Sequence, residues 1–277
     1  MSNTRVRSGY ISEIFSSFQG EGPFLGERHI FVRFLGCSLG CGYCDTPYAA
    51  TEAGPARMDE AGGGVKCLEN PLSVRTVMDA VISQEVFPGL NSKLAVTGGE
   101  PLEQPEFLRA LLEGLDGRFK TLIETNGILP DALVRVKDLA DIISMDFKLP
   151  SVTGKGELWD AHREFALAAK GRELVAKAVV SRQTPPGEVE TAANILAETA
   201  PDALFVIQPL SLPPGSLTAR THRQEPVPPP PLAGEGNMVE SIVGGEGDYL
   251  LDFYFLAKRI LRNVRVIPQV HKIMGVR

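Results

Sequence analysis

Positive charge is what this sequence is short of: 28 Lys and Arg against 34 Asp and Glu leave a formal net charge of -6 at pH 7. A chain that tracks phosphate backbones carries a basic face, so the composition points away from nucleic acid and toward a small ligand. Long apolar runs are lacking too. The stretch MSNTRVRSGYISEIF has no apolar segment of signal-peptide length, and no segment reaches membrane-spanning length without a charge. The expectation is a cytoplasmic protein with no membrane partner. Cysteine is scarce at four, and three of these, Cys37, Cys41 and Cys44, fall within eight residues. In a reduced protein such crowding reads as metal binding rather than as a disulfide framework.

What is present is a repeating alternation. The runs HIFVRFLG, KLAVTGGE, FKTLIETN, DIISMDFK, ELVAKAVV and ALFVIQP each predict a buried strand ending in polar or glycine residues. Helical patterns occupy the gaps, near residues 73–86, 105–115, 130–139, 157–170 and 187–199. Repeated βα units predict an α/β fold with a parallel sheet, and six of them suit a partial (β/α)6 barrel, with an open doubly wound sheet as the alternative. The 277 residues have material for one large domain or two ordinary ones, and a single domain over 1–277 is expected. Residues 97–100 and 124–126, Asp146 with Lys148, and Gln208 all fall at predicted carboxyl ends of strands, which predicts one shared rim. Two stretches read as additions: residues 51–70 as a flexible excursion, and residues 211–247, containing PVPPPPLAGEG and GGEG, as a mobile surface insertion.

In GCSLGCGYCDT three cysteines are spaced Cys-x3-Cys-x2-Cys, among glycines that let the backbone turn tightly. Three thiolates leave one iron of a cubane open, whereas a structural zinc site wants four ligands. A zinc loop completed by Cys67 or a histidine is the competing reading; otherwise Cys67 is a spare thiol. In TGGEP, Gly98 and Gly99 free a strand end of side chains, so that a zwitterionic amino acid can dock on backbone groups; the plainer reading is a strand-to-helix turn. Asp146 and Lys148 alternate with Met145 and Phe147, so both polar side chains share one face, inward in a barrel, where an internal ion pair is the rival role. Arg33 offers a planar fork suited to a carboxylate, or a rim ion pair. In QGEG, Gln19 and Glu21 can read donors and acceptors on a heterocycle edge, or belong to a glycine-rich hairpin. His29, His162, His222 and His271 are scattered, and only His271 is a candidate site residue.

The cysteine spacing with Tyr43 before the last thiol resembles the signature of the radical S-adenosylmethionine (SAM) superfamily, and TGGEP resembles its second motif. FSSFQGEGPFLGERHIFVRFLGC, CDTPYA, ETNG and PQVHKIMGVR resemble the 7-carboxy-7-deazaguanine synthase family, nearly end to end. The resemblance implies conversion of 6-carboxy-5,6,7,8-tetrahydropterin to 7-carboxy-7-deazaguanine with loss of ammonia, toward queuosine and related bases. It makes Cys37, Cys41 and Cys44 ligands of a 4Fe-4S cluster. It puts Tyr43, Cys44, Asp45, Gly99, Ser144, Met145, Asp146, Phe147, Lys148 and Gln208 around S-adenosylmethionine. Thr46 matches a magnesium (Mg2+) ligand, whose octahedron needs substrate and water oxygens besides. Phe18, Gln19, Gly20, Arg33 and Thr97 match pterin-binding positions, Glu21 lies among them, and a terminal carboxylate, here on Arg277, is expected against the pterin. A flavodoxin or ferredoxin as electron donor and a homodimer complete the expectation. An activase for a glycyl radical enzyme shares the cysteine spacing and needs no pterin pocket; a noncatalytic zinc module is the rival of another class.

Overall fold

The computed structural model describes residues 8–44, 54–60, 63–210 and 248–276. Asp45, Thr46, His222, Arg277 and the expected insertion at 211–247 lie outside them. Within them, the apolar runs that predicted strands do form strands. The chain begins with β1 (Ser8–Gly9), β2 (Ile11–Phe18) and β3 (Arg28–Phe34), then β4 (Ala56–Asp59), β5 (Val65–Leu68) and β6 (Leu72–Ser73). Regular alternation follows: α1 (Val74–Ser83), β7 (Lys93–Gly98), α2 (Pro105–Leu115), β8 (Thr121–Thr125), α3 (Pro130–Val136) and β9 (Ile142–Phe147). A single turn, α4 (Pro150–Thr153), leads into α5 (Trp159–Ala168), β10 (Glu173–Val180), α6 (Pro186–Thr199) and β11 (Leu204–Pro209). The last described elements are α7 (Asp248–Ile260), β12 (Val264–Val266) and α8 (Val270–Met274).

The main sheet has ten strands in the order β12-β11-β10-β9-β8-β7-β3-β2-β4-β5. From β3 to β12 every neighbour is parallel, and the order follows the chain without reversal. A doubly wound sheet reverses at a switch point, so this is the wall of a partial barrel. All six predicted strands are in that wall, and the five predicted helices lie between them. Local signals start the helices: Ser73 Oγ accepts from Thr76 N–H at 3.0 Å to cap α1, and Pro opens α2, α3 and α6. The helices cover the convex face over a core that includes Phe34, Phe107, Leu111, Phe147, Phe165 and Phe205. On the concave face a smaller apolar layer holds Phe15, Phe31, Ala95, Leu122, Ile142, Val175 and Val206.

Two regions depart from expectation. Part of the excursion at 51–70 is a hairpin: β4 lies parallel to β2, β5 turns back on β4, and Gly63 and Gly64 take φ of 91° and 144° at the turn. Ala56 is buried and Met58 packs on the core, so alternate residues anchor a strand that a glycine-rich composition concealed. Helix α7 carries no expectation at all, yet it packs on α6 and buries Phe253 and Ala257.

The turn after β7 is fastened to the cysteine loop. Gly99 N–H donates to Phe34 O at 2.9 Å and Glu100 N–H to Gly36 O at 2.8 Å. A Cβ on Gly99 would lie 1.9 Å from Gly36 O, and one on Gly98, at φ +116°, would lie 2.4 Å from Phe34 N. These glycines therefore serve a backbone contact inside the protein, in which the Gly99 and Glu100 amides are engaged. Gly99→Ala must push the two loops apart, and we expect a loss of about 3 kcal/mol in urea unfolding, the upper range for overpacking. Gly187→Ala, in α6 with nothing near its Cβ, is the control and should be neutral or slightly stabilising.

Candidate active site

The concave face changes character within one alternation. Two residues beyond the apolar layer, Phe31 gives way to Arg33, Ala95 to Thr97, Leu122 to Glu124, Ile142 to Ser144, Val175 to Lys177 and Val206 to Gln208. These polar residues line a cavity of about 480 Å3, joined by Asp146 and Lys148 beyond Ser144. That volume suits a small-molecule site. The β2–β3 loop contributes Phe18, Gln19, Gly20 and Glu21, the turn after β7 contributes Gly99, and α8 contributes His271.

The cysteine loop lines the same cavity through Cys37, Cys41, Tyr43 and Cys44. Gly36 and Gly40 take φ of 94° and 55°, conformations that favour glycine. Gly42 N–H donates to Thr153 O at 3.1 Å, and Ser38 N–H to Glu103 Oε1 at 2.6 Å. No disulfide joins the cysteines, and Cys67 sits on β5 opposite Arg57, off the cavity wall. Among the described residues no three His, Cys, Asp or Glu side chains already converge on a metal position. Three cysteines lining one cavity, with Cys67 off its wall, fit a cubane with an open iron better than a closed zinc site.

Charge on the wall is paired. Lys148 Nζ is 2.7 Å from Asp146 Oδ2 and 3.3 Å from the Tyr43 hydroxyl. Lys177 Nζ is 3.3 Å from Asp146 Oδ1 and forms a short ion pair with Glu21. Arg33 Nε is 3.4 Å from Glu13, and its guanidinium lies 5.4 Å from the Phe15 ring centre. Burial opposes the charge on Glu21, but Lys177 and the Gln269 amide, 2.6 Å away, outweigh it and hold the pKa at about 2. Glu124 accepts from Gln19 Nε2 at 2.8 Å, and burial raises its pKa. Glu100 is wholly buried and accepts from Thr125 Oγ1, Asn126 N–H and Leu102 N–H; burial still lifts its pKa to about 7. It ties the turn after β7 to the one after β8.

Several residues differ from their expected placement. The side chains of Met145 and Phe147 lie in the convex core, because alternation that turns Asp146 inward turns them outward. Gln19 is buried with both amide ends engaged, its Oε1 accepting from Glu21 N–H at 3.1 Å, so it shapes the loop. Gly20 is needed by the fold: a Cβ there would meet His271 at 2.3 Å, and Val270 N–H donates to Gly20 O. His29 and His162 are buried; His162 Nε2 accepts from Lys148 N–H at 3.2 Å, and burial followed by the Lys148 charge lowers its pKa to about 4. Lys177 and Gln269 were not among the expected site residues, and Glu124 was expected only as part of the shared rim. A lysine at an inward position of an otherwise apolar strand, ELVAKAVV, is the signal that marks the first of them.

Among the described residues no helix is long and apolar enough to cross a membrane. Residues 31–166 match the Radical SAM superfamily. The chain is 36% identical over 268 residues to the 7-carboxy-7-deazaguanine synthase of Geobacter sulfurreducens, spanning 96% of both chains. It is 33% identical to the enzyme of that name from Methanopyrus kandleri, spanning 95% of this chain and 92% of the relative. In fold it is similar to QueE from Escherichia coli, with a TM-score of 0.52 and 23% identity, over 74% of this chain and 85% of that one. With its cysteine loop set against a charged cavity at the strand ends, and identity of this order along its length, the chain belongs to the 7-carboxy-7-deazaguanine synthase family of the radical SAM superfamily.

Proposed function

We propose that this protein converts 6-carboxy-5,6,7,8-tetrahydropterin to 7-carboxy-7-deazaguanine with release of ammonia, a step of 7-deazapurine biosynthesis. The observation that carries the reading is the one cavity that collects Cys37, Cys41, Cys44 and a paired set of charges, in a chain of this family. Identity along nearly the whole chain favours this reading over a glycyl radical activase or a zinc module.

Cys37, Cys41 and Cys44 would hold the 4Fe-4S cluster, and Tyr43, Gly99, Ser144, Asp146, Lys148 and Gln208 would surround S-adenosylmethionine, joined by Asp45. When bound, the two supply hydrogen-abstracting radical chemistry that belongs to the cofactors. The protein's part is positional and electrostatic. Asp146 and Lys148 set a carboxylate beside an ammonium, complementary to the two charges of an amino acid. Arg33, steadied by Glu13 and Phe15, offers its fork to the pterin carboxylate. Glu21 stays ionised and accepts from ring N–H groups, while Thr97, Glu124 and His271 bound the remaining wall. Polar groups set on neighbouring strand ends hold the reactants in one orientation. Thr46 supplies a neutral oxygen to magnesium, whose other ligands come from substrate and water. The reading takes a flavodoxin or ferredoxin as electron donor and a homodimer as the working assembly.

Anaerobic turnover of the carboxytetrahydropterin with reductant, S-adenosylmethionine and magnesium tests the function; cleavage of S-adenosylmethionine without consumption of the pterin would overturn it. Cys37→Ala, Cys41→Ala and Cys44→Ala should each fail to retain iron after reconstitution and show no turnover, whereas Cys67→Ala should keep about four irons per chain. Iron and sulfide analysis reads this directly. Thr46→Ala should lose most magnesium stimulation while still cleaving S-adenosylmethionine without product formation, seen by comparing 5′-deoxyadenosine with product at varied magnesium.

A further inference from the structure

Lys177 is a charge placed where an apolar side chain would fold more cheaply. It projects inward from β10, is only 15% exposed, and follows Val175 of the apolar layer. Buried ion pairs commonly stabilise no more than a well-packed hydrophobic residue of similar size, so folding alone gives methionine the advantage here. The ammonium is shared between carboxylates from different parts of the cavity. Glu21 comes from the β2–β3 loop, Asp146 from β9, and Glu124 from β8 adds its field. Beyond Asp146 the contacts continue: Oδ2 holds Lys148 at 2.7 Å, and Lys148 reaches the Tyr43 hydroxyl at 3.3 Å, next to Cys44 in the chain.

We propose that Lys177 is a positioning residue that couples the pterin end of the cavity to the S-adenosylmethionine end, so that filling one tightens binding at the other. This rests on the function proposed above. The route is electrostatic and needs no backbone movement. In the free protein Lys177 is drawn to Glu21, while its distance to Asp146 Oδ1 is the longer one, 3.3 Å. Ring N–H groups that engage Glu21 reduce that pull, and the ammonium settles against Asp146. Held on both oxygens, Asp146 fixes Lys148 in the orientation that meets Tyr43. Linkage is reciprocal, so bound S-adenosylmethionine tightens the pterin by the same factor. Lys177 is no proton donor in this scheme. Burial opposes its charge, but Asp146, Glu21 and Glu124 outweigh it and raise its pKa.

The test uses cluster-loaded protein without reductant, so that nothing turns over. Calorimetry gives the Kd for S-adenosylmethionine with and without saturating carboxytetrahydropterin. In the parent the pterin should tighten it about fivefold or more, the lower end of typical coupling. In Lys177→Met the ratio should fall to about one with the cluster retained, and Lys177→Arg, which keeps the charge, should recover part of it. Lys177→Gln replaces the Met variant if that protein does not take up the cluster. A parent-like ratio in the neutral variant overturns the coupling, as does a parent ratio of one; no pterin binding to the parent overturns the function and the coupling with it.

A second readout needs no cofactor. In the parent, Glu21 has a pKa of about 2 against an ordinary 4.5, so its pairing stabilises the fold above about pH 4.5 and is lost only as pH falls through about 2. Without Lys177 that carboxylate is buried with its main cation gone, and its penalty grows as pH rises. The Tm gap between parent and Lys177→Met should therefore be wider at about pH 8 than at about pH 5. An equal gap would mean that Lys177 does not hold Glu21, and would overturn the proposal.

Discussion

A charge drawn into the curve of a sheet is tolerable only beside its opposite, and here strand register decides which charges meet. Asp146 and Lys177 are direct partners across β9 and β10, and Glu13 and Arg33 are direct partners across β2 and β3. Neither pair depends on a long side chain finding a distant mate. A slip of one residue in either ladder would separate the partners and turn the polar residues into the convex core. The apolar layer of Phe31, Leu122, Ile142 and Val175 lies one step below and resists such a slip, since it would have to leave the interior at the same time. Packing thus fixes register, register fixes charge, and charge gives the cavity its chemistry.

The cysteine loop depends on a second constraint, the close approach of two backbones. Gly99 meets Gly36 at a distance that leaves no room for a Cβ, and two hydrogen bonds fasten the turn after β7 to the start of the loop. Glu100 extends that tie to Thr125 and Asn126. The loop that presents Cys37, Cys41 and Cys44 is thereby referred to two neighbouring strand ends, while Gly42 is held from the other side by Thr153. A motif that reads in sequence as a ligand-binding turn serves first as a brace for the cofactor loop.

The barrel wall was legible because its predicted strands are short apolar runs that stop at polar or glycine residues, and α1, α2, α3 and α6 each open on a capping serine or a proline. The β4–β5 hairpin was not, since its anchoring residues Ala56 and Met58 are few and lie among glycines and charges. Helix α7, DYLLDFYFLAKRI, has clear helical periodicity and went unread beside the proline- and glycine-rich stretch that precedes it. Within the site, alternation correctly turned Asp146 and Lys148 inward, and the same rule, applied to Val175, would have found Lys177. The family resemblance named Met145 and Phe147 as part of the run from Ser144 to Lys148, but a strand's two faces separate what its sequence interleaves. Gln19 and Gly20 were read as facing a ligand; they line the cavity, yet their contacts hold the loop and α8 in place. No local pattern shows such a role, because the partners come from opposite ends of the described chain.

That last contact has a consequence for how the protein is made. Glu21 and Gln269, 2.6 Å apart in the fold, are 248 residues apart in the chain. A ribosome releases the β2–β3 loop early and α8 late, so throughout most of synthesis Glu21 lacks Gln269, and Gly20 lacks the helix that covers it. The barrel wall can assemble strand by strand behind the exit tunnel, whereas the cavity is finished only when α8 docks. Until then the nascent chain has its thiols but not the contacts that finish the cavity around them.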